Sequence, residues 1–500
     1  MIKTVITLLL LMPLQLMAQA QQLTLQQVLQ KVIDNYPSIR LATLQVEKAR
    51  EDSIKAESQL AWQLNANAGV ARETNLIGSA TDQMKLGAGL NRRLQNGGDL
   101  GFNASILRDD AEDSFAPTIP NPSTKTRVDI NYRHPLQQGS ENSQYEESKV
   151  AAAAAVKLAQ GEKIALYDRL ASEVLEVYLA AASTHVRIQN MDKAIQRSQR
   201  LKDYIASEVS LGLSEEKDSL QIDARLATNR ADKQSLQVLW QQQMVSLNRL
   251  MDQHWQQEFL PLFEPAQAAL KQEIQKSYDE LYASAMQQDA TLKQIEARLL
   301  LADSAIRLSR DKRQDQLDLV MYLGNEKNQG DVAVGNFDES QMVGGVSLEF
   351  RRGLDKSGLD AELRQAHLDR ELVLQDKKLQ LQNLQYRVAS LQTEIKSAQA
   401  AVQAFDRSVR AESAKLREAT QRYKDGRIET DRIIDFEAQL SSAELAYELQ
   451  KIELARRYYQ LDLLIGSIWE TVVRPEIAFL KMTAESTQPL TDSTSQQDIN

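Results

Sequence analysis

The sequence predicts a mainly helical protein with very long helices, combined with a set of two-faced β-strands of the kind that walls a membrane barrel. Three observations predict it: where proline is missing, where apolar residues alternate strictly, and how the chain repeats itself.

Proline is absent between Pro135 and Pro261 and again between Pro265 and Pro475. Because proline breaks helix interiors, each stretch is free to form long helices. Glycine interrupts these parts sparsely, at Gly161, Gly212 and Gly426. The pattern predicts helices over about 142–209 and 214–250, then about 357–424 and 429–465. At about 1.5 Å per residue, a helix of about 68 residues reaches roughly 100 Å. Leu381, Leu384, Val388, Leu391, Ile395, Ala398 and Val402 recur at alternating three- and four-residue spacing, the heptad of a coiled coil. Leu166, Leu170, Val174 and Tyr178 form a looser stripe in the first long helix.

Six segments alternate with period two. Trp62, Leu64, Ala66, Ala68 and Val70 alternate with Gln63, Asn65, Asn67 and Gly69. The same holds for Met84 to Leu90, Leu100 to Ile106, Val128 to Tyr132, Leu317 to Leu323 and Val346 to Phe350. One apolar and one polar face fit a wall with lipid outside and water inside. A soluble sandwich would need another segment to cover the apolar face, and the sequence offers none. Gln95-Asn96-Gly97-Gly98 signals a tight hairpin. The other connections, about 74–82, 109–125 and 325–341, read as longer polar loops. Short turns on the periplasmic side and long loops outside then place the helices in the periplasm.

The chain duplicates. Asn35-Tyr36-Pro37 and Gln288-Asp289-Ala290 each open a helix leading to a strand, an offset of 253 (290 − 37). Leu211-Gly212-Leu213 and Asp425-Gly426-Arg427 occupy matching helical turns, an offset of 214 (426 − 212). The difference, 39 residues (253 − 214), is the length of one additional hairpin with a loop. The first repeat therefore carries four strands and the second two.

Lys3, the apolar run from Val5 to Met12 and Ala18-Gln19-Ala20 have the order of a signal peptide, predicting a mature chain from Gln21. The expected organisation is a signal peptide at 1–20, a first repeat at 21–250, a connector at 251–275, a second repeat at 276–465, and a C-terminal segment at 466–500 whose polar tail is disordered. No apolar run is long enough for a spanning helix. A net charge of −10 disfavours nucleic acid as a partner. The absence of cysteine excludes disulfides, thiolate metal sites, cysteine nucleophiles and an N-terminal lipid anchor. His134, His185, His254 and His367 are scattered without metal-ligand spacing, and no hydrolase, zinc-protease or nucleotide-binding motif occurs. No enzyme activity and no cofactor are expected.

Leu23-Thr24-Leu25 followed by Asn35-Tyr36-Pro37, His134-Pro135-Leu136 entering a long helix, and Arg422-Tyr423 with Gly426, Ala438-Gln439-Leu440 and Ala443 together resemble the TolC-type outer-membrane efflux family over about 23–470. The resemblance implies a trimeric outer-membrane channel of a tripartite efflux or type I secretion system, with a β-barrel wall contributed by each protomer and a periplasmic tunnel of coiled-coil helical hairpins. It implies passive exit for substrates delivered by an inner-membrane transporter through a periplasmic adaptor. The alternative, a periplasmic coiled-coil adaptor of such a system, shares the hairpins but not the six two-faced strands. Three copies of six strands would give 18 (3 × 6), against 12 for members with two hairpins. Pro135 has no counterpart near Phe350-Arg351, and Asp425 and Arg427 depart from the small and apolar residues that often flank the second tip glycine.

For gating, the resemblance points to four residues. Asp218, six after the first tip glycine, is expected to bond Tyr423, three before the second. Arg432 and Asp435 occupy positions where the family places two constriction aspartates, so an arginine replaces one of them; Asp431 and Glu429 are secondary candidates for the negative field. The adaptor is expected to touch Leu211, Gly212, Leu213 and Gly426.

Overall fold

The computed structural model describes residues 21–74, 80–113, 118–211, 215–257, 259–261, 276–333 and 335–467. The expected signal segment, most of the expected connector, the polar tail, Gly212 and Leu213 lie outside them.

The first repeat begins with β1 (Gln21–Leu23), α1 (Leu25–Asn35) and α2 (Pro37–Glu57). Four strands follow: β2 (Gln63–Thr74), β3 (Ala80–Arg93), β4 (Asp99–Ala111) and β5 (Ser123–Pro135). The helical hairpin α3 (Ser143–Ser210) and α4 (Glu216–Leu250) and the short β6 (Phe259–Pro261) complete it. The second repeat comprises α5 (Tyr278–Gln288), α6 (Ala290–Lys312), β7 (Gln316–Val332), β8 (Gly335–Arg351), α7 (Ser357–Lys424) and α8 (Thr430–Leu464).

The duplication is carried down to single hydrogen bonds. Thr24 caps α1 by accepting from the Gln27 amide at 3.2 Å, while the Gln27 side chain accepts from the Thr24 amide at 2.9 Å. Ser277 and Glu280 repeat this reciprocal cap on α5 at 3.3 and 2.8 Å, 253 residues on (277 − 24). Each box satisfies two amides that a helix start leaves without partners. α3 and α7 are both 68 residues long, and α4 and α8 both 35. Their starts are 214 apart (357 − 143 and 430 − 216). β3 and β4 supply the 39-residue difference.

The chain divides into two compact units, one of Met1–Leu41, Ile164–Asp289 and Leu381–Asn500, the other of Ala42–Lys163 and Ala290–Gln380. The first holds a helical core in which Val28, Leu29 and Val32 of α1 meet Tyr167, Val174 and Tyr178 of α3, Leu247 and Leu250 of α4, and Ile452 of α8. The buried Tyr178 hydroxyl donates to the Leu23 carbonyl at 2.9 Å, so this polar group enters the core already paired. β1 pairs with β6 in parallel. The heptad positions of α7 from Leu384 to Val402 are buried and Leu381 half-buried, as their spacing predicts.

The second unit holds a sheet of order β2-β3-β4-β5-β7-β8, antiparallel throughout. β5 pairs with β7, joining the two repeats. Gly97, at φ +76°, closes the predicted tight turn between β3 and β4, where the Leu94 amide donates to the Gly98 carbonyl at 2.7 Å.

One expectation fails here. The polar stretch 325–341 is not a loop: β7 and β8 stay in register from Gln316–Arg351 to Val332–Gly335. Polar cross-strand pairs replace the apolar face along this ribbon. Lys327 lies 3.2 Å from Asp338, Gln329 donates to Asp338 at 3.1 Å, and Ser340 donates to Asn325 at 2.9 Å. Backbone pairing needs no apolar face, so alternation marks where a strand is two-faced and not where it ends.

Candidate functional site

Two regions carry the residues that the sequence singles out: the turns at the ends of the long helical hairpins, and the sheet.

At the second turn, Gly426 has φ +68°. The Arg427 amide donates to the Arg422 carbonyl and the Gly426 amide to the Tyr423 carbonyl, both at 2.9 Å. This pair of bonds is a Schellman ending, which places Tyr423 in the last turn of α7, facing the start of α8. Asp218 stands in the first turn of α4, where a carboxylate suits the positive helix end.

Asp218 and Tyr423 do come together, lining one cavity of about 540 Å³ with Tyr204, Glu208, Gly426 and Thr430. The expected bond between them is not made. The Tyr423 hydroxyl meets the Thr430 hydroxyl at 3.1 Å. Thr430 is the buried first residue of α8, so the bond closes the second turn on itself instead of tying it to the first. Asp218 acts on Tyr423 through charge. Burial raises the Tyr423 pKa most, the Thr430 bond lowers it, and the negative Asp218 and Glu208 raise it. The phenol stays protonated and able to donate.

Beneath this cavity an apolar cluster joins Leu201 and Ile205 of α3, Ile222 of α4, Ala419 of α7 and Ile433 of α8. The Tyr204 and Tyr423 rings meet at 5.8 Å, tilted 58°. Arg432 and Asp435 are exposed on α8, with no ion pair between them. Leu211 is 67% exposed at the end of α3, and Gly426 is exposed. Thr430 and Tyr204 were missed in the sequence. Thr430 stands seven residues past Tyr423 across a turn, where the helical periodicity is interrupted and no longer says which side chains meet. Glu437 was missed as well: burial raises its pKa, against the lowering effects of Arg197, Arg200 and Arg225.

The sheet is inverted relative to a soluble one. Leu64, Leu90, Phe102, Ile130 and Leu323 form a single cross-strand row over five strands, and all five are exposed. On the opposite face Arg127 reaches Asp129 at 3.0 Å and Glu326 at 3.7 Å, and Arg133 pairs with Asp318 and, at 3.6 Å, with Glu349. The polar face is thus the internally satisfied one. Within the described residues β2 and β8 are the sheet's edges, each paired on one side. No helix of the described residues is long and apolar enough to cross a membrane.

No protein-family model and no curated protein matches the sequence. Solved structures do match. The outer membrane protein VceC of Vibrio cholerae superposes with a TM-score of 0.62 at 16% identity, over 89% of this chain and 95% of that one. CusC, described for its folding and transmembrane channel formation, gives 0.63 at 16% identity over 90% and 91%. The open-state MtrE outer membrane channel of Neisseria gonorrhoeae gives 0.58 at 17% identity over 88% of both chains. Along nearly its whole described length, this chain has the fold of the TolC-type outer-membrane channels.

Proposed function

We propose that the chain is the outer-membrane exit duct of an efflux or secretion system, working as a homotrimer without enzymatic activity. The observation that carries this reading is the exposed apolar row on an antiparallel sheet with two open edges. An open sheet edge has no place in hydrocarbon, because its amides and carbonyls find no water there. Three copies joining β8 of one to β2 of the next would pair both edges and close a wall of 18 strands (3 × 6).

The slant of the apolar belt supports the same reading. On β2 the apolar run from Trp62 to Val70 centres on Ala66, which lies level with Asn325 of β7 through Ala88, Ala104 and Val128. On β7 the run from Leu317 to Leu323 centres on position 320. The belt therefore drops five residues (325 − 320) over four pairings. At about 3.4 Å per residue and about 4.8 Å between strands, a level belt requires strands tilted by about 40°. Barrels in membranes tilt by about 35–45°.

The long helical hairpins then form a periplasmic conduit, with an adaptor docking around Leu211 to Leu213 and Gly426 and delivering cargo from an inner-membrane transporter. Tyr423 and Thr430 fix the shape of the second turn, and the apolar cluster packs it against the first, which together keep the tip closed. Asp218 tunes the phenol, and Arg432 offsets the Asp435 carboxylate where the pore is narrowest. The test is the native mass and heat-modifiable migration of the protein from an outer-membrane fraction. Three chains that collapse to one only on boiling are expected; a soluble monomer would defeat the reading.

A further inference from the structure

The inserted hairpin, with β2 beside it, differs in chemistry from β5, β7 and β8. On those three strands the polar face is charged and paired, through Arg127, Asp129, Arg133, Asp318, Glu326 and Glu349. On β2 to β4 the same face carries mainly amides and glycines, with Ser105 and Leu107 among them and Lys85 as the one charged residue between Gln63 and Gly69 of β2 and the positions level with them. The glycines lie directly beneath the amides. A Cβ on Gly89 would sit 2.4 Å from Asn65 Oδ1 and 2.8 Å from Asn103 Oδ1. On Gly87 it would meet Asn67 Oδ1 at 2.5 Å, and on Gly101 it would meet Asn131 Oδ1 at 2.1 Å and Asn91 Oδ1 at 2.8 Å. Asparagine side chains therefore lie flat across the glycines of the neighbouring strand instead of standing up from the wall. Asn103 is held down by donating to Asp129 at 3.3 Å and Asn131 at 3.1 Å.

We propose that β3 and β4 are a bore-widening insert whose low, amide-rich surface makes the exit suited to bulky, hydrated cargo. The proposal rests on the channel reading above and deepens it by naming the cargo class. With the shared strands alone, three chains would contribute 12 strands (3 × 4); with the insert they contribute 18, half as much again in circumference at equal tilt. Barrel diameter grows roughly in proportion to strand number. Glycines at 87, 89 and 101 keep that added width free of side chains, because each gives a neighbouring amide room to lie down.

The test is polymer exclusion in a planar bilayer, with uncharged polyethylene glycols of graded mass added on the external side, so that they sample the barrel without passing the helical turns. The purified trimer of the full mature chain is compared with Gly87→Trp/Gly89→Trp and with the milder Gly87→Asn/Gly89→Asn. In both variants the clashing atoms are the ends of flexible asparagines, which can swing away from the wall. The expected result is a cut-off mass that falls roughly twofold in the tryptophan variant and less in the asparagine variant. An identical cut-off in all three proteins overturns the proposal, as does a wild-type barrel that admits only the smallest polymers. Native mass is read on the same samples: an unmodified protein that is not trimeric refutes the channel reading itself, a result distinct from a trimer with a narrow barrel, and the asparagine variant carries the comparison where the tryptophan variant does not assemble.

Discussion

The two repeats share a frame and differ in their ends. Position for position, α1 matches α5 and the α3–α4 hairpin matches α7–α8, down to helix lengths and reciprocal caps. At the offset of 214 the first repeat has Val209 where the second has Tyr423, Asp218 where the second has Arg432, and Asp223 where the second has Glu437. Val209 and Tyr423 pack on one cluster, whereas the other two pairs differ in charge or in environment. Asp223 pairs with Lys202 near the surface, whereas Glu437 is shielded from solvent. At the sheet end the first repeat adds a whole hairpin. Packing fixes the frame, because a helix core tolerates few solutions; the turns and the sheet face carry the asymmetry that a function can use.

The largest expected effect tests the two faces of the sheet. Ala104→Arg places a charge on the apolar face, at a cost of about 2–4 kcal/mol per chain near a bilayer midplane. Ser105→Arg, the next residue, places the same charge on the polar face. Trimer recovery from an outer-membrane fraction should collapse for the first and persist for the second; equal recovery would break the contrast.

A smaller effect concerns the turns. Tyr423→Phe and Thr430→Val each remove one hydrogen bond, worth about 0.5–1.5 kcal/mol net. Both should raise single-channel conductance by similar amounts, because they break the same contact. Asp218→Ala should raise it less, since Asp218 acts only through charge. Equal effects of Asp218→Ala and Tyr423→Phe would restore a direct bond between the two repeats.

Arg432→Asp sharpens the charge difference between the turns. In the proposed trimer, three arginines beside three Asp435 carboxylates should give weak cation selectivity and little block by trivalent cations. The variant should become more cation-selective and more easily blocked, as read from reversal potentials and current block. Strong trivalent block of the unmodified channel would show that Arg432 does not offset the ring.

The smallest effect is expected from Glu437. Its folded pKa is raised, mainly by burial and against the pull of Arg197, Arg200 and Arg225. A raised acid pKa means that the folded state holds its proton more tightly than the unfolded one. Stability from this group is thus full below the ordinary value of 4.5 and declines as pH rises through the raised value. Glu437→Gln should flatten that decline in thermal unfolding measured against pH; an unchanged slope would assign it to another group.

Much of this was legible in the sequence. The long helices were readable within one or two residues, because missing prolines and a heptad seam act over dozens of positions. The six strands and the inserted hairpin followed from alternation and from the difference between two offsets. The ribbon at 325–341 escaped because its strands pair through polar residues that alternate nothing apolar. The Tyr423–Thr430 contact escaped because it depends on the backbone path that Gly426 imposes. Asp218 and Tyr423 line the same cavity, but the hydrogen bond that the Tyr423 hydroxyl makes is with Thr430.

The central claim, that the sheet faces lipid on one side and water on the other, has a direct test. The chain has no cysteine, so single cysteines at positions 64, 65, 66 and 67 can be introduced without interference and labelled in intact outer membranes. Asn65→Cys and Asn67→Cys should react with a charged, water-soluble maleimide. Leu64→Cys and Ala66→Cys should resist it until detergent is added, giving a reactivity of period two. Uniform reactivity at all four positions in intact membranes would contradict the account.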